Sequence, residues 1–228
     1  MKEAAEAAEE IMYAYKAIVW DLDGTLLDTL DDLTDATNHA LSGNGLPLRT
    51  REEVRRFVGN GIRRLIARAV PEGTPDAVRD AVYGDFCPYY AAHCNDRTHP
   101  YPGVMELLAG LHAAVPMAIV SNKADFAVRE LAEIYFGRLI PVAVGARDGS
   151  RTKPAPDVVL RALGELGAAP ASAVYVGDSE VDVETARNAG MSCVSVSWGF
   201  RTPDVLRAAG ASVICPDVPS LRRALIGK

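Results

Sequence analysis

From Pro100 onward the chain alternates short apolar runs with stretches of helical pattern, and this alternation restricts the fold more than any other feature. The runs are Pro116–Val120, Ile140–Val144, Ala173–Val176, Cys193–Val196 and Ser212–Cys215. Between them the helical pattern covers Val104–Ala113, Ala124–Phe136, Pro156–Leu166, Val181–Ala189 and Pro203–Ala209. Repeated strand-then-helix order places the strands parallel in one sheet with helices on both faces. An earlier run, Lys16–Leu22, has the same buried character and ends in acid, so it joins that sheet as its first strand. The expected fold is α/β, a three-layer Rossmann-like parallel sheet.

Between the first strand and Pro100 the pattern is helical only. Leu30, Leu33, Thr37 and Leu41 share one helical face, with Thr29 as candidate N-cap. Thr50-Arg-Glu-Glu53 has the spacing of a capping box, and Val54, Phe57 and Val58 follow it before Gly59. Ile62, Leu65, Ile66 and Ala69 form a third stripe ended by Pro71, and Val78, Val82, Phe86 and Tyr90 form a fourth. Residues 29–97 therefore read as a small all-helical unit inserted after the first strand of a core made of residues 1–28 and 98–228. Met1 to about Tyr13 reads as an acidic helix or tail, with Met12 as a second candidate start.

Composition narrows the function. With 49% apolar and 24% charged residues among 228, the chain has ordinary globular character and enough length for a real core. A net charge of −6 argues against nucleic acid and anionic membranes as partners. No uncharged stretch is long enough to span a membrane, and the first residues read as neither signal nor transit peptide. The four cysteines make no C-x-x-C pair and read as buried free thiols, which suits the cytoplasm. The histidines have no zinc spacing. Nothing in the sequence sets the oligomeric state.

Open parallel sheets bind ligands at the carboxyl ends of their strands. Strand one ends in Asp21-Leu-Asp23-Gly24-Thr25, the run at Pro116 in Ser121-Asn122-Lys123, and the run at Ala173 in Gly177-Asp178-Ser-Glu-Val-Asp182. A loop adds Lys153-Pro-Ala-Pro-Asp157. Carboxylates crowded together repel unless a cation joins them, and a few hard oxygen ligands beside a phosphate suit Mg²⁺. Helix N-termini expected after Ser121 and after Asp178 would add oriented N–H groups. One carboxylate can attack phosphorus, and a second two residues on can serve as acid and then base.

DLDGTLLDT, SN, KPAPD and GDSEVD, in this order and on these elements, resemble the four motifs of the haloacid dehalogenase superfamily. The resemblance runs from about Lys16 to the end, and the helical insertion is similar to that superfamily's four-helix cap. VGNGIRRLI, SNKADF, KPAPD and GDSEVDVETARNAG resemble the bacterial phosphoglycolate phosphatases most closely, although Ala124 stands where those commonly carry proline. The resemblance implies Asp21 as nucleophile, and Asp23 as acid, then base, and backbone ligand to Mg²⁺. It implies Ser121 and Lys153 on the phosphoryl oxygens, Asp178 as direct metal ligand, and Asp182 as a ligand through water or as the group orienting Lys153. Gly24, Thr25 and Asn122 would line the substrate.

Its branches are separated by single residues. Position 23 is an acid, which the dehalogenating branch lacks. Residues 29–97 hold no lysine, which the phosphonate-cleaving branch needs for its Schiff base. Hydrolysis of a small phosphorylated metabolite is expected, with 2-phosphoglycolate first. Sugar phosphomutases and pyrophosphatases share the motifs and stay open, and a non-catalytic phosphate-binding scaffold is disfavoured by the intact acids. Arg49–Arg68 carries seven arginines against two glutamates, read mainly as solvated helix faces. Within it Asn60, Gly61 and Arg63 are candidate specificity residues, because two glycines let backbone approach a ligand. Lys123 reads as a substrate contact or an exposed side chain, and Trp198 and Phe200 as core.

Overall fold

The computed structural model describes residues 14–147, 149 and 151–226; the N-terminal acidic stretch expected to be a helix or tail lies outside the described residues. In chain order the elements begin with β1 (Ala17–Trp20) and β2 (Leu27–Asp28). Four helices follow: α1 (Leu30–Gly43), α2 (Arg51–Phe57), α3 (Ile62–Ala69) and α4 (Asp76–His93). Then come β3 (His99–Pro100), α5 (Val104–Leu111), β4 (Met117–Ala124), α6 (Asp125–Tyr135), β5 (Val142–Ala146) and α7 (Asp157–Glu165). The chain continues through β6 (Ala173–Gly177), α8 (Glu180–Ala189), β7 (Ser192–Val196), α9 (Pro203–Ala208), β8 (Ile214–Cys215) and α10 (Val218–Leu225).

Six strands form one parallel sheet in the order β5-β4-β1-β6-β7-β8. Side chains alternate across it with period two. Ile18, Trp20, Met117, Ile119, Val174 and Val176 meet α5, α6 and α10 on one face. Ala17, Val19, Ala118, Val120, Ala173 and Tyr175 meet α7 and α8 on the other. Strands buried on both faces read as unbroken apolar runs, which is why the sequence pattern located them. The chain extends the sheet from β1 to one side with β4 and β5, then to the other with β6 to β8. β1 is therefore the switch point, and the carboxyl ends of β4, β1 and β6 lie side by side.

The helical insertion has a core of its own. Leu30, Leu33, Ala36, Leu41, Val54, Leu65, Ile66, Val82, Phe86 and Tyr90 pack together with Ala127 of α6 and Phe200 of the loop after β7. The capping box at Thr50 and Glu53 is present, and α3 stops before Pro71 as expected. Thr29 departs from expectation. It occupies the N-cap position of α1, but the Asp28 carboxylate takes the Leu30 N–H at 3.1 Å and the Thr29 hydroxyl donates to Asp23 at 2.7 Å. The motif after Val120 also differs: β4 continues through a register shift to Ala124, so Ser121-Asn122-Lys123 lies on strand backbone and α6 starts only at Asp125. Two features have no strong sequence signature, the helix α10 and the two-residue ribbon β2–β3.

That ribbon pairs the two linkers of the insertion antiparallel, Leu27 with Pro100 and Asp28 with His99. Beside it the buried Asp32 carboxylate of α1 accepts the Arg97 N–H at 3.0 Å, the Thr98 N–H at 2.9 Å and the Thr98 hydroxyl at 2.8 Å. Removing it would strand buried donors, each costing about 1–3 kcal/mol. Asp32→Ala is expected to lower stability by about 3 kcal/mol, read as a lower urea midpoint. An unchanged midpoint would show that water satisfies these donors.

Candidate active site

Four segments deliver side chains to the space above the carboxyl ends of β4, β1 and β6. Asp21 follows β1 directly, and Asp178 follows β6. Lys153 comes from the loop between β5 and α7, and Asp182 from the first turn of α8. One carboxylate oxygen of each of Asp21, Asp178 and Asp182 lies within 4.8 Å of the others, and all three residues are buried. The buried Lys153 ammonium donates to Asp21 at 2.8 Å, to Asp182 at 2.7 Å and to the Tyr175 hydroxyl at 2.9 Å. The second Asp182 oxygen accepts the Ser179 N–H at 3.1 Å and the Ser179 hydroxyl at 2.6 Å. Both Asp182 oxygens are thus engaged, which favours the expectation that it orients Lys153.

Close backbone contacts shape the acidic cluster. Gly24 has φ +86°, and a Cβ there would lie 2.4 Å from an Asp178 oxygen. A Cβ on Gly199 would lie 2.2 Å from the Gly24 carbonyl oxygen, and one on Gly177 would lie 2.3 Å from Asp182. Only glycine leaves room for these carboxylates. Asp178 accepts the Phe200 N–H at 2.6 Å and lies 3.4 Å from the donating Thr25 hydroxyl. Asn122 lines the cavity and also braces the Lys153 loop: its amide donates to the Lys153 carbonyl at 3.0 Å and accepts the Lys153 N–H at 2.8 Å. It also donates to the Gly59 carbonyl of the helical unit at 3.2 Å. The Ser121 hydroxyl accepts the Lys123 N–H at 3.2 Å and lines the cavity.

The electrostatics are unbalanced in a way that calls for a cation. Burial, then the charge of Asp182, raises the Asp21 pKa to about 7 in spite of Lys153. Burial, then Asp182 and Asp21, pushes Asp178 well above the carboxylate range. Three carboxylates against one ammonium leave a formal excess of two negative charges. A small divalent ion with oxygen preference fits this donor set, with Asp21 and Asp178 as carboxylate ligands. Lys153 itself is held charged: burial opposes the ammonium, but Asp182 and Asp21 outweigh it and raise its pKa well above the ordinary value.

Residues of the helical unit close the cavity. Val58, Gly59, Gly61, Ile62, Leu65 and Tyr90 line it, opposite Asp21, Asp23, Ser121, Lys153 and Asp178. Gly61 is there as expected, whereas Asn60 and Arg63 are absent from the lining. The Asn60 oxygen accepts from Arg68 at 2.9 Å. Arg63 is exposed, pairs with Asp80 at 3.1 Å and lies over the Tyr83 ring. Of the two readings of Lys123, the exposed side chain is overturned, while its place in the cavity lining leaves the substrate contact open. Lys123 is buried, donates to an Asp23 oxygen at 2.8 Å and also to the Tyr90 hydroxyl. Burial disfavours its charge, but Asp23 and Tyr90 hold its pKa above the ordinary value. Its rarity was the available signal, since the chain has five lysines, and a tyrosine on a buried stripe needs a partner for its hydroxyl. Arg201 had no such signal: it pairs with Glu180 at 2.8 Å and donates to the Arg55 and Val58 carbonyls of α2 and its C-cap. Phe200, read as core, both packs with the helical unit and lines the cavity.

A parallel sheet that gathers these carboxylates and a lysine at its carboxyl edge, beneath a helical insertion, is the arrangement of a hydrolase family. The chain belongs to the haloacid dehalogenase-like hydrolase family, whose model matches residues 18–196. It is similar to the phosphoglycolate phosphatase of Nitrosococcus oceani, 36% identical over 189 residues that cover 80% of this chain and 84% of that protein. It is also similar to the N-acetylmuramic acid 6-phosphate phosphatase of Pseudomonas aeruginosa, 31% identical over 83% of this chain and 84% of that one. In structure it resembles a phosphoglycolate phosphatase candidate from Lactobacillus delbrueckii subsp. bulgaricus. There the TM-score is 0.89 at 36% identity, covering 94% of this chain and all of the other. No helix among the described residues is long and apolar enough to cross a membrane.

The raised Asp21 pKa sets a sign for stability. Between the unfolded carboxylate value and about 7 the folded, metal-free chain keeps a proton that the unfolded chain has lost, so stability falls as pH rises through that window. A divalent ion in the cluster offsets this. The rise in Tm with Mg²⁺ over EDTA is expected to be small near about pH 5 and larger near about pH 8. A rise that ignores pH would place the ion elsewhere.

Proposed function

We propose that the chain is a Mg²⁺-dependent phosphomonoesterase acting through an aspartyl-phosphate on Asp21. Its substrate is a small phosphorylated metabolite of the cytoplasm, with 2-phosphoglycolate the first candidate. The observation that carries the reading is the Lys153 ammonium bridging Asp21 and Asp182 inside a three-carboxylate cluster at the carboxyl edge of the sheet. A lysine so placed orients the nucleophile and can neutralise phosphoryl oxygens brought against it.

Asp21 attacks phosphorus, and Lys153 and the Ser121 hydroxyl bind the equatorial oxygens. Asp23 gives its proton to the leaving oxygen and then takes one from the attacking water. Asp21, Asp178 and the Asp23 backbone carbonyl would hold Mg²⁺, with Asp182 beside them orienting Lys153. When bound, the ion supplies charge for the phosphoryl oxygens and fixes the line of attack. Asn122, which lines the cavity, meets substrate and also locks the Lys153 backbone, whereas Gly24 and Thr25 stand outside the lining and pack against Asp178. Residues 29–97 act as a cap on a core of residues 1–28 and 98–228. The cap swings about the β2–β3 ribbon, opening to admit substrate and closing to exclude water. Asn60 and Arg63 would meet substrate only after a rearrangement of the Gly59–Gly61 turn.

The substrate choice rests on the phosphoglycolate phosphatase relatives. The Pseudomonas aeruginosa relative favours a second reading, hydrolysis of a sugar phosphate. Phosphate release from 2-phosphoglycolate, several sugar phosphates, pyrophosphate and nucleotides, with Mg²⁺ and with EDTA, separates the two. Release is expected with Mg²⁺ only, fastest from phosphoglycolate. Asp21→Asn is expected to lower kcat on the order of 10⁴-fold or more. Wild-type turnover in that variant would overturn the mechanism, and faster release from another ester would overturn the substrate alone.

A further inference from the structure

Both hydrogen bonds described for the Asp23 carboxylate fall on the same oxygen, and both are tied to the helical unit. The Thr29 hydroxyl reaches Oδ1 at 2.7 Å from the residue where the chain enters α1. The Lys123 ammonium reaches Oδ1 at 2.8 Å from the edge of β4, and is itself bound to the Tyr90 hydroxyl of α4. Lys123 also lies 4.7 Å from the centre of the Tyr90 ring. Burying an ammonium is costly, and an apolar side chain would fill this gap between α4 and the sheet more cheaply if filling were its only task. With Oδ1 committed to two donors, Oδ2 is the oxygen left to carry or accept the reacting proton.

We propose that Lys123 and Tyr90 are positioning residues that couple closure of the helical unit to proton transfer by Asp23. Seating α4 brings the Tyr90 hydroxyl onto Lys123, and Lys123 together with Thr29 fixes the Asp23 carboxyl plane with Oδ2 toward the leaving group. Lifting the helical unit withdraws Tyr90 and Thr29 together, so an open enzyme has a poorly aimed acid. This rests on the reading of Asp23 as the acid. In the step concerned a bond forms between an Asp21 oxygen and phosphorus. The bond from phosphorus to the ester oxygen breaks with its electron pair on oxygen, and the Asp23 proton goes to that oxygen. Protonation matters most for a basic leaving group and little for an acidic one.

The test measures kcat/KM for a size-matched series, ethyl, 2-chloroethyl and trifluoroethyl phosphate, with acetyl phosphate as the most acidic leaving group. Lys123→Met is expected to lose on the order of 10²-fold on ethyl phosphate and under about tenfold on acetyl phosphate. Tyr90→Phe is expected to lose about tenfold and under about twofold respectively, which keeps the test open should the lysine variant fail to fold. Asp23→Asn provides the limiting slope. If Asp23→Asn depends on the leaving group more steeply than wild type while both other variants keep the wild-type slope, the coupling is wrong and the acid stands. If Asp23→Asn itself keeps the wild-type slope, the acid reading fails and the coupling with it. A Lys123→Met variant whose KM rises for phosphoglycolate but not for ethyl phosphate, at unchanged slope, would make Lys123 a binder of the substrate carboxylate and overturn the proposal.

Discussion

Negative charge packed at one edge of a parallel sheet is the constraint on which the remaining structure depends. Asp21, Asp178 and Asp182 are brought together by the ends of two neighbouring strands and the first turn of a helix, and Lys153 is the cation that reaches all the way into that group. A buried charge pair is stable only when its remaining hydrogen-bonding capacity is met. Here Tyr175 takes part of the lysine, Ser179 takes the far side of Asp182, and the Phe200 N–H takes Asp178. Three glycines give up their side chains so that carboxylates and backbone can approach. The loop that carries Lys153 is in turn fixed by a two-way exchange with Asn122. The site is rigid from below, as expected of machinery that works by aiming fixed charge at a phosphoryl group.

From above it is held by contacts that a moving part can make and break. The Gly59 carbonyl meets Asn122, the Arg55 guanidinium meets the Gly199 carbonyl, and Arg201 meets the carbonyls at the end of α2. Each is a polar contact between the helical unit and the core beside the acidic cluster, to β4 at Asn122 and to the loop after β7 at Gly199 and Arg201. At the other end of the insertion, Asp32 and the β2–β3 ribbon bind the two linkers to one another. The proposed cap is thus attached at one end and held by polar contacts at the other, and the apolar contacts that stabilise α1 to α4 lie mostly within the helical unit. Under the proposed coupling, Lys123 is the side chain that links the helical unit to Asp23, through its bond to Tyr90.

The sheet was legible because parallel strands buried on both faces leave unbroken apolar runs, and the cap because four amphipathic stripes follow one another without a strand. Strand bounds shifted where pairing rather than hydropathy decides them. Polar Ser121-Asn122-Lys123 falls within β4 because pairing with β5 resumes at Ala124 and Ala146 beyond the register shift. The ribbon of two residues per strand has too little pattern to be seen. That Asp21, Asp178, Asp182 and Lys153 would converge was legible from acids at the ends of strands together with the linked order of the four motifs. That Asn60 and Arg63 stand outside the cavity lining was not legible, since a loop's glycines permit approach to a ligand without saying which side chain turns toward it.

What the sequence determined by itself is local or periodic: the strand-helix alternation, the inserted helical unit, and which chemically capable residues stand at the ends of strands. These depend on backbone period and residue type, which a short window contains. What only the tertiary structure decided is which of those residues share an oxygen, a proton or a face. Lys123 became a buried partner of Asp23 and Tyr90 because β4 lies next to β1 and α4 folds back over both. Arg201 became a latch because α2 ends above the loop after β7. Pairings of that kind join residues 33 to 146 positions apart, and their energies come from burial and geometry that exist only once the chain has closed on itself.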